Sequence, residues 1–262
     1  MPSARVAVVI PTFNNAATLV RAVESAVVAT DHANQATDLD LRTEVVVVDD
    51  GSTDDTRAVL EYLAALLAPL PAITFKTTAT GGNRGAGPAR NAGVRHASAP
   101  LICFLDADDE FLPPHLDVCV RTLLADREIG YVWTRRRLDV PMHSSWGPSL
   151  DRSTVMNLCI RRIWHEIVKG FPEHADFRSM GTEDSFYRII LRALVPGREI
   201  DAETVLIHHA PGNSLDRQRG KLATPITEWD GTKELFVPSD AIMATLQDRL
   251  EYVDRLKAEM GA

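Results

Sequence analysis

Four acidic residues stand directly after an apolar run in the segment LICFLDADDE, residues 101–110. They are Asp106, Asp108, Asp109 and Glu110. Like charges at the end of a buried strand repel one another and lose hydration, so such a cluster indicates a bound cation. Carboxylate oxygens with access to water suit Mg²⁺ or Mn²⁺ shared with the phosphates of a substrate. The structural alternative is that Asp106 and Asp109 are turn and helix-cap residues.

Two more polar clusters follow apolar runs closer to the amino terminus. The segment PTF, residues 11–13, ends the run VAVVI, and Asp49 and Asp50 end the run VVVV. Strands that alternate with helices over the first hundred residues predict an α/β fold with a mostly parallel sheet. Ligands bind beyond the carboxyl ends of the strands in such sheets, so the three clusters are predicted to converge. Alternatively, Asp49 and Asp50 begin a β-turn and cap a helix.

The pattern is looser beyond residue 130. Residues 131–134 and 205–207 are apolar runs typical of strands, and residues 183–194 have the apolar spacing of a helix. Residues 135–154 predict a long, mobile connection. A carboxyl-terminal helix from about 239 to 260 has an apolar stripe, which needs a partner surface on this chain or on a second copy. The stripe consists of Ile242, Leu246, Leu250, Val253 and Leu256.

The composition limits the classes of function. A formal net charge of -8 disfavours non-specific attraction to nucleic acid or to anionic membranes. Cys103, Cys119 and Cys159 lack metal-site spacing and have apolar neighbours, which predicts buried free thiols, a reducing compartment and no zinc site. No stretch reaches the roughly 18 apolar residues of a membrane-spanning helix. We therefore expect a soluble, cytoplasmic protein without a nucleic-acid partner or an integral membrane segment.

A family resemblance is carried by six segments in a fixed order. The first four are VVIPTFNN, VVVVDDGSTDDT, NRGAGPARNAG and LICFLDADD, and the last two are NLCIRRIWHEIVKGFPEH and GTEDSFYR. In this order and at these intervals they resemble the family-two nucleotide-sugar glycosyltransferases of the GT-A fold. The resemblance covers about residues 5–215. Each motif alone is weak evidence, whereas six in register are specific.

The resemblance implies a Rossmann-like α/β fold, with a mostly parallel central sheet between helices, a smaller acceptor-side subregion and a carboxyl-terminal helix. The nucleotide-sugar-binding half is expected at 1–130, the acceptor-binding half with the catalytic base at 131–215, and an extension with the amphipathic helix at 216–262. Residues 135–154 are then the expected acceptor lid.

The implied activity is an inverting, metal-dependent transfer of a hexosyl or N-acetylhexosaminyl group from a nucleoside diphosphate sugar to an unidentified acceptor. UDP-sugars are the commonest donors of the family, and GDP- and dTDP-sugars stay open. No Gln/Arg-X-X-Arg-Trp motif follows the Glu-Asp pair of the last segment, so one sugar is expected to move per encounter.

The nucleoside pocket is assigned by the same resemblance to the ends of the first two strands. Pro11, Thr12 and Phe13 are expected to line the base. Asp50 is expected to accept a hydrogen bond from a base N–H, with Asp49 as the alternate.

The diphosphate and its metal are assigned to two later segments. Arg84, in the glycine-rich stretch, is the better candidate for the base or the diphosphate, and Arg90 is either a second one or a helix-surface charge. In the family the last Asp of the Asp-X-Asp motif ligates the metal, which points to Asp108. Asp106 is expected near the ribose or the waters of the Mn²⁺ or Mg²⁺ ion, and Ala107 beside the nucleotide. Such an ion stabilises the charge on the departing diphosphate.

A catalytic base is needed because the acceptor loses its proton on the face opposite the departing diphosphate. The Glu-Asp pair of the family supplies it, here Glu183 and Asp184, and we assign the base to Asp184. A helix amino terminus is expected to keep this carboxylate ionised. The structural alternative is a pair of acids that interact only with the helix dipole.

His208 and His209 precede the segment PGNS, where related enzymes often place a histidine that completes the metal shell. Alternation along a strand separates the two rings, so we assign His209 to the metal and His208 to a structural role. Trp146 and Trp164 are expected either to stack on a sugar or to lie in the core.

Three other interpretations follow from the residues. A sugar nucleotidyltransferase usually has a loop rich in Gly, Arg and Lys after its first strand, whereas PTFNNAATL has neither Gly nor Lys. A catalytically inactive GT-A binding module is disfavoured by the presence of Asp106, Asp108 and Asp184 together. The apolar stripe of the last helix predicts a homodimer.

Overall fold

The computed structural model of the chain describes residues 4–36, 39–210, 220–228 and 238–261. The strands are β1 (Ala4–Thr12), β2 (Leu41–Asp49), β3 (Ile73–Ala79), β4 (Leu101–Phe104), β5 (Glu110–Phe111), β6 (Tyr131–Leu138), β7 (Leu158–Arg161) and β8 (Gly197–Ile207). The helices are α1 (Leu19–Ala36), α2 (Thr56–Leu67), α3 (Ala86–His96), α4 (His115–Ala125), α5 (Gly147–Ser153), α6 (Arg162–Ile167), α7 (Ala175–Met180), α8 (Glu183–Leu194) and α9 (Asp240–Met260). Short 3-10 turns lie at Ser144–Trp146 and Ile226–Glu228.

Within these described ranges, the eight strands form one sheet in the order β3-β2-β1-β4-β7-β6-β8-β5. β3, β2, β1 and β4 are parallel. The predicted parallel arrangement of the first hundred residues is therefore confirmed. The second half is mixed, because β7 runs antiparallel to both β4 and β6, and β5 runs antiparallel to β8.

Both faces of the parallel half are covered, which explains the continuous apolar runs of its strands. Val8 and Ile10 belong to the core shared with α1, α2 and α4, whereas Val9 points into the opposite core with α3 and α8. Gly93 allows the close approach of α3 to β1, since a Cβ atom there would lie 2.3 Å from Cγ1 of Val9. This packing fixes the amino-terminal end of α3 beside the strand ends.

The segment 135–154 is more ordered than its composition predicts. β6 continues to Leu138, and α5 packs against it through buried polar contacts. The Arg136 backbone N–H donates to Oδ1 of Asp151 (3.2 Å), and Nη1 of Arg136 donates to Oγ1 of Thr154 (3.1 Å). The prediction of a long, mobile connection is thus wrong for most of the segment, because a buried pair distant in sequence holds α5 in place.

The carboxyl-terminal helix α9 begins as predicted, with Oγ of Ser239 accepting from the backbone N–H of Ile242. Ile242 and Val253 are buried in one core with residues of α8, and the other three leucines of the stripe pack against that core. The stripe therefore has its partner surface on the same chain, and it no longer argues for a homodimer.

Two smaller expectations concern the cysteines and the helices. Cys103, Cys119 and Cys159 are buried free thiols, as predicted. Burial raises the pKa values of the Cys103 and Cys119 thiols well above the ordinary range. Among the described residues, no helix combines the length and the apolar character needed to cross a bilayer.

Candidate functional site

A cavity of about 710 Å³ lies beyond the carboxyl ends of β1, β2 and β4, between α3 and α8. Most of the predicted site residues line it. They are Pro11, Thr12, Phe13, Asp50, Arg90, Asp106, Ala107, Asp108, Glu183 and Asp184. The predicted residues Asp49, Arg84 and His209 are described by the structure but do not line this cavity.

The loop after β4 presents two of its aspartates to the cavity. The Asp108 carbonyl accepts a hydrogen bond from Nη2 of Arg21 (2.7 Å), and the Asp106 carbonyl accepts one from the Asp109 backbone N–H (3.1 Å). These bonds fix the turn. Asp106 and Asp108 line the cavity. The buried carboxyl of Asp109 instead accepts a hydrogen bond from the backbone N–H of His208 (3.0 Å), which follows β8. The loop therefore divides into two cavity carboxylates and one structural carboxyl.

The surroundings of Asp109 oppose the ionisation of its carboxyl group. Its burial raises the pKa of the carboxyl well above the ordinary value, and the neighbouring Asp106 and Asp108 add to the increase. The turn interpretation of Asp109 is consistent with this environment, because a buried carboxyl that bonds to the backbone orders the loop.

Arg90 lies at the centre of the site, with a side chain only 3% exposed. Its Nη2 donates to Oδ1 of Asp106 (2.6 Å) and its Nη1 donates to Oδ1 of Asp184 (2.7 Å). Glu183 is 3.7 Å away, and the guanidinium carbon lies 5.4 Å from the centre of the Phe171 ring. The alternative of a helix-surface charge is wrong, because Arg90 faces inward and connects the Asp-X-Asp loop to the Glu-Asp pair.

The electrostatics of this cluster favour a charged arginine. Burial alone would lower the pKa of Arg90, but Asp184, Asp106 and Glu183 outweigh it, so the pKa is raised above its ordinary value. One cation thus faces three carboxyl groups, which leaves the carboxylates only partly compensated.

Asp184 lies in the first turn of α8, and its side chain is 18% exposed. Burial is the largest influence on its carboxyl and raises the pKa to about 7, with Arg90 opposing the shift and Glu183 and Asp106 adding to it. Burial likewise raises the pKa of Glu183. Burial thus opposes the ionisation that the helix amino terminus was expected to favour. A pKa near the working pH instead suits a carboxyl that exchanges a proton.

Asp50, which directly follows β2 and is 3% exposed, organises the part of the cavity that was predicted to bind the nucleoside. Its carboxylate accepts from Oγ1 of Thr80 (2.5 Å) and from the backbone N–H groups of Arg84 (2.9 Å) and Gly85 (2.6 Å). Gly85 has a φ of 100°, a conformation that favours glycine. Asp50 therefore holds the glycine-rich loop against the strand ends, and a carboxylate can still accept a further hydrogen bond.

Asp49 and Arg84 have other partners. Oδ1 of Asp49 accepts from the backbone N–H of Ser52 (2.8 Å), as the β-turn interpretation predicts. The half-exposed Arg84 side chain pairs with Glu173 (3.1 Å), outside the cavity lining. Of the two arginines assigned to the nucleotide, only Arg90 lines the cavity.

The two histidines follow β8, which ends at Ile207, so strand alternation does not apply to them. The ring nitrogens of His208 lie 2.6 Å from Oε1 of Glu110 and 3.2 Å from Oδ2 of Asp139. The backbone N–H of His209 donates to Oδ1 of Asp139 (2.8 Å), and neither histidine lines the cavity. The assignment of His209 to the metal thus finds no support in this arrangement, and residues 211–214 of the PGNS segment lie outside the described residues.

The donor set still fits a divalent cation. No group of three or more His, Cys, Asp or Glu side chains is arranged to hold a metal within the described parts of the chain. However, Mg²⁺ and Mn²⁺ need only one or two protein carboxylates when phosphates and waters complete the shell. Asp106 and Asp108 provide this pair at the wall of an open cavity.

Several lining residues were not predicted. They include Asn83, Ala86, Ser149, Leu150, Ser153, Arg178 and Lys221. Trp146 also lines the cavity, although its side chain is buried and its Nε1 donates to the Thr224 carbonyl (2.8 Å). Trp164 is not among the lining residues and packs beside Gly130. Nothing in the spacing of α5 identifies its serines as cavity residues, since the contact depends on how α5 packs against β6.

A flanked sheet with a carboxylate-lined cavity beyond its parallel strand ends is the architecture of the GT-A glycosyltransferases. A family model described as glycosyl transferase family 2 matches residues 7–195. The chain belongs to this family, and the resemblance seen in its six motifs is confirmed.

Solved structures of two transferases are similar to the chain. Staphylococcus aureus TarS 1-349 in complex with UDP-GlcNAc has a TM-score of 0.64 at 17% identity, covering 80% of this chain and 60% of that chain. The mannosyltransferase PcManGT from Pyrobaculum calidifontis, in complex with GDP-Man and Mn²⁺, has a TM-score of 0.60 at 21% identity, covering 99% and 75%. These similarities confirm the predicted GT-A fold.

Curated relatives cover only part of the chain. An uncharacterized glycosyltransferase of Nostoc sp., alr2836, is 31% identical over 152 residues, which are 56% of this chain and 43% of the relative. The succinoglycan biosynthesis protein ExoU of Rhizobium meliloti is 38% identical over 111 residues, or 42% and 28%. The chondroitin synthase of Pasteurella multocida is 34% identical over 182 residues, or 64% and 17%. The chain thus spans less than half the length of these relatives.

Proposed function

We propose that the chain is an inverting, metal-dependent glycosyltransferase that moves one sugar from a nucleoside diphosphate sugar, most suitably a UDP-sugar, to an acceptor hydroxyl. One observation carries this proposal. Asp106, Asp108 and Asp184 line the same cavity, and Arg90 joins Asp106 to Asp184. The solved complexes of TarS with UDP-GlcNAc and of PcManGT with GDP-Man and Mn²⁺ support a nucleotide-sugar donor.

The donor fits the end of the cavity at β1 and β2. Phe13, 38% exposed at the cavity wall, offers a ring face to the base, and Asp50 offers a buried carboxylate to a base N–H. The diphosphate then lies beside Asp106 and Asp108, which would hold the divalent cation. Such a cation supplies positive charge where the leaving diphosphate becomes more negative.

The acceptor fits the other end, at Asp184. Its carboxylate takes the proton of the acceptor hydroxyl as that oxygen forms a bond to the anomeric carbon, and the bond from this carbon to the diphosphate breaks. Attack from the face opposite the leaving group inverts the anomeric configuration. Arg90 keeps the carboxylate in position through its 2.7 Å hydrogen bond, so the base and the metal loop share one rigid support.

A panel of nucleotide sugars tests the donor class. We expect the full chain to gain several degrees in melting temperature with one UDP-sugar and Mn²⁺, because a ligand that binds only the folded state stabilises it. The gain should be much smaller without Mn²⁺. GDP- and dTDP-sugars are the comparison arms. No shift with any nucleotide sugar, at millimolar ligand and metal, would remove the proposal.

The Asp108→Asn variant is expected to lose Mn²⁺-supported UDP binding by about tenfold or more, since a neutral amide is a poor ligand for a hard cation. Isothermal titration calorimetry with UDP, with and without Mn²⁺, measures the effect. Asp55→Asn is a suitable control, because it removes one carboxylate at an exposed position outside the cavity. Equal affinities for the wild type and Asp108→Asn would reject the metal assignment.

The pH dependence of transfer follows from the raised pKa of Asp184. The base must be ionised, so kcat/KM is expected to fall on the acidic side with a midpoint near the carboxyl pKa of about 7. Below the midpoint the fall is about tenfold per pH unit. Initial rates at constant ionic strength, with a check that the fold is intact at each pH, measure it. A flat profile down to the ordinary Asp range would contradict the assignment.

A further inference from the structure

A second groove of about 310 Å³ continues from the catalytic cavity along α5 and α8. The two spaces share Ser149, Ser153 and Ser185 as lining residues. The groove is completed by Arg152 on α5 and by Ile189 and Arg192 on α8. Its lining is thus two arginines, three hydroxyls and one apolar side chain, which differs from the acidic lining at the Asp-X-Asp loop.

The groove begins next to the proposed base. Ser185 follows Asp184 directly, and Arg192 lies two helical turns further along α8. At 1.5 Å per residue, the backbone of Arg192 is about 12 Å from that of Asp184 along the helix axis. The groove therefore runs from the part of α8 that carries Asp184 toward Arg152 and Arg192.

The charge of the groove is positive, although the chain has a net charge of -8. Nη2 of Arg152 lies 3.7 Å from Oε2 of Glu199, and both side chains are more than 40% exposed. Such an exposed pair is weak. Arg192 is exposed as well, so both arginines of the groove are available to an anion from solution.

A third arginine connects the walls. Arg188 is fully buried, and its Nε donates to the Arg152 carbonyl (3.2 Å), which ties α8 to α5. Its guanidinium carbon lies 5.1 Å from the Trp133 ring centre, and neither Nη1 nor Nη2 has a hydrogen-bond partner among the described residues. Burial lowers the pKa of Arg188 to about 10, so it is still charged at neutral pH. Its charge adds to that of Arg152 and Arg192.

We propose that this groove binds an anionic group of the acceptor, a phosphate or a carboxylate, so that the acceptor is an acidic sugar, a sugar phosphate or a polymer of either. Guanidinium groups bind both anions through paired N–H donors, and serine hydroxyls add single hydrogen bonds. The inference rests on the proposed function, because it assigns the groove to the acceptor from its continuity with Asp184.

Binding of simple probes to the full chain tests this subsite. Glucose 6-phosphate, glucuronate and glucose are titrated separately, with and without saturating UDP and Mn²⁺. We expect at least one anionic probe to bind roughly tenfold or more tightly than glucose, and its affinity to persist with UDP and Mn²⁺ bound. Comparison of glucose 6-phosphate with glucuronate then identifies whether the subsite prefers a phosphate or a carboxylate.

The double variant Arg152→Gln/Arg192→Gln is expected to bind all three probes within roughly twofold of one another and to keep the wild-type affinity for UDP with Mn²⁺. Arg57→Gln, an 89% exposed arginine on α2, is the matched control and should leave every affinity unchanged. Equal binding of the three probes to the wild type would overturn the subsite. So would a preference that survives in the double variant, or one that UDP abolishes. UDP binding in the same titrations tests the proposed function separately.

Discussion

The Asp184→Asn variant is expected to lose glycosyl transfer by about 10²- to 10⁴-fold while its affinity for the donor stays close to that of the wild type. The amide keeps the shape of the side chain but cannot accept the acceptor's proton. Asp184 belongs to α8, whereas Phe13 and Asp50 follow β1 and β2, so the donor should bind as before. Transfer of radiolabelled sugar and calorimetry with UDP measure the two quantities.

Glu183→Gln is the matched variant for this experiment. Glu183 is adjacent in the chain, lines the same cavity and lies 3.7 Å from Arg90, so removal of its charge perturbs the cluster in a similar way. We expect a loss below the 10²-fold typical of a general base. Circular dichroism checks that both variants are folded. A more severe loss in Glu183→Gln than in Asp184→Asn would transfer the role of base to Glu183.

Much of the site could be predicted because its residues follow parallel strands. The ends of β1, β2 and β4 meet at one edge of the sheet, so the segments at Pro11, Asp50 and Asp106 converge whatever the details of packing. The hydrophobic pattern and the residue composition of the sequence are enough to locate such strands. The carboxyl-terminal helix could also be predicted, because the apolar residues of its stripe recur at helical spacing.

Other features depend on long-range contacts, which local sequence patterns do not predict. Arg90 occupies a helix whose sequence does not distinguish a buried face from an exposed one, and its partners Asp106 and Asp184 are 16 and 94 residues away. The order of α5 depends on the buried Asp151 beside Arg136. The positions of His208 and His209 depend on their backbone hydrogen bonds to Asp109 and Asp139, which are 99 and 70 residues away. In each case a long-range polar contact decides the outcome.

Arg90 connects the two parts of the site. The carboxyl that is proposed to take the proton and the loop that is proposed to hold the metal come from different elements, α8 and the end of β4. Without a cation between them, Asp106, Glu183 and Asp184 would repel one another in a partly buried space. A single guanidinium, which binds two carboxylates in fixed directions, satisfies both sides at once.

The Arg90→Met variant is therefore expected to be strongly destabilised, by about 3–5 kcal/mol at pH 8, because it leaves buried carboxylates without their counter-ion. The loss should be smaller at pH 5. Without the arginine the pKa of Asp184 rises further in the folded state, so the folded variant takes up a proton that the unfolded chain does not hold. Its stability relative to the wild type thus falls as the pH rises. Urea unfolding at both pH values measures the difference.

Arg84→Met is the control, since the Arg84 side chain is half-exposed and pairs with the similarly exposed Glu173. Such a pair contributes about 1 kcal/mol or less, with little change between the two pH values. If Arg90→Met were no less stable than Arg84→Met, the guanidinium would not be the cation that holds the two halves of the site together. A large loss of equal size at both pH values would instead indicate a packing defect around Phe171, with the carboxylates playing no part.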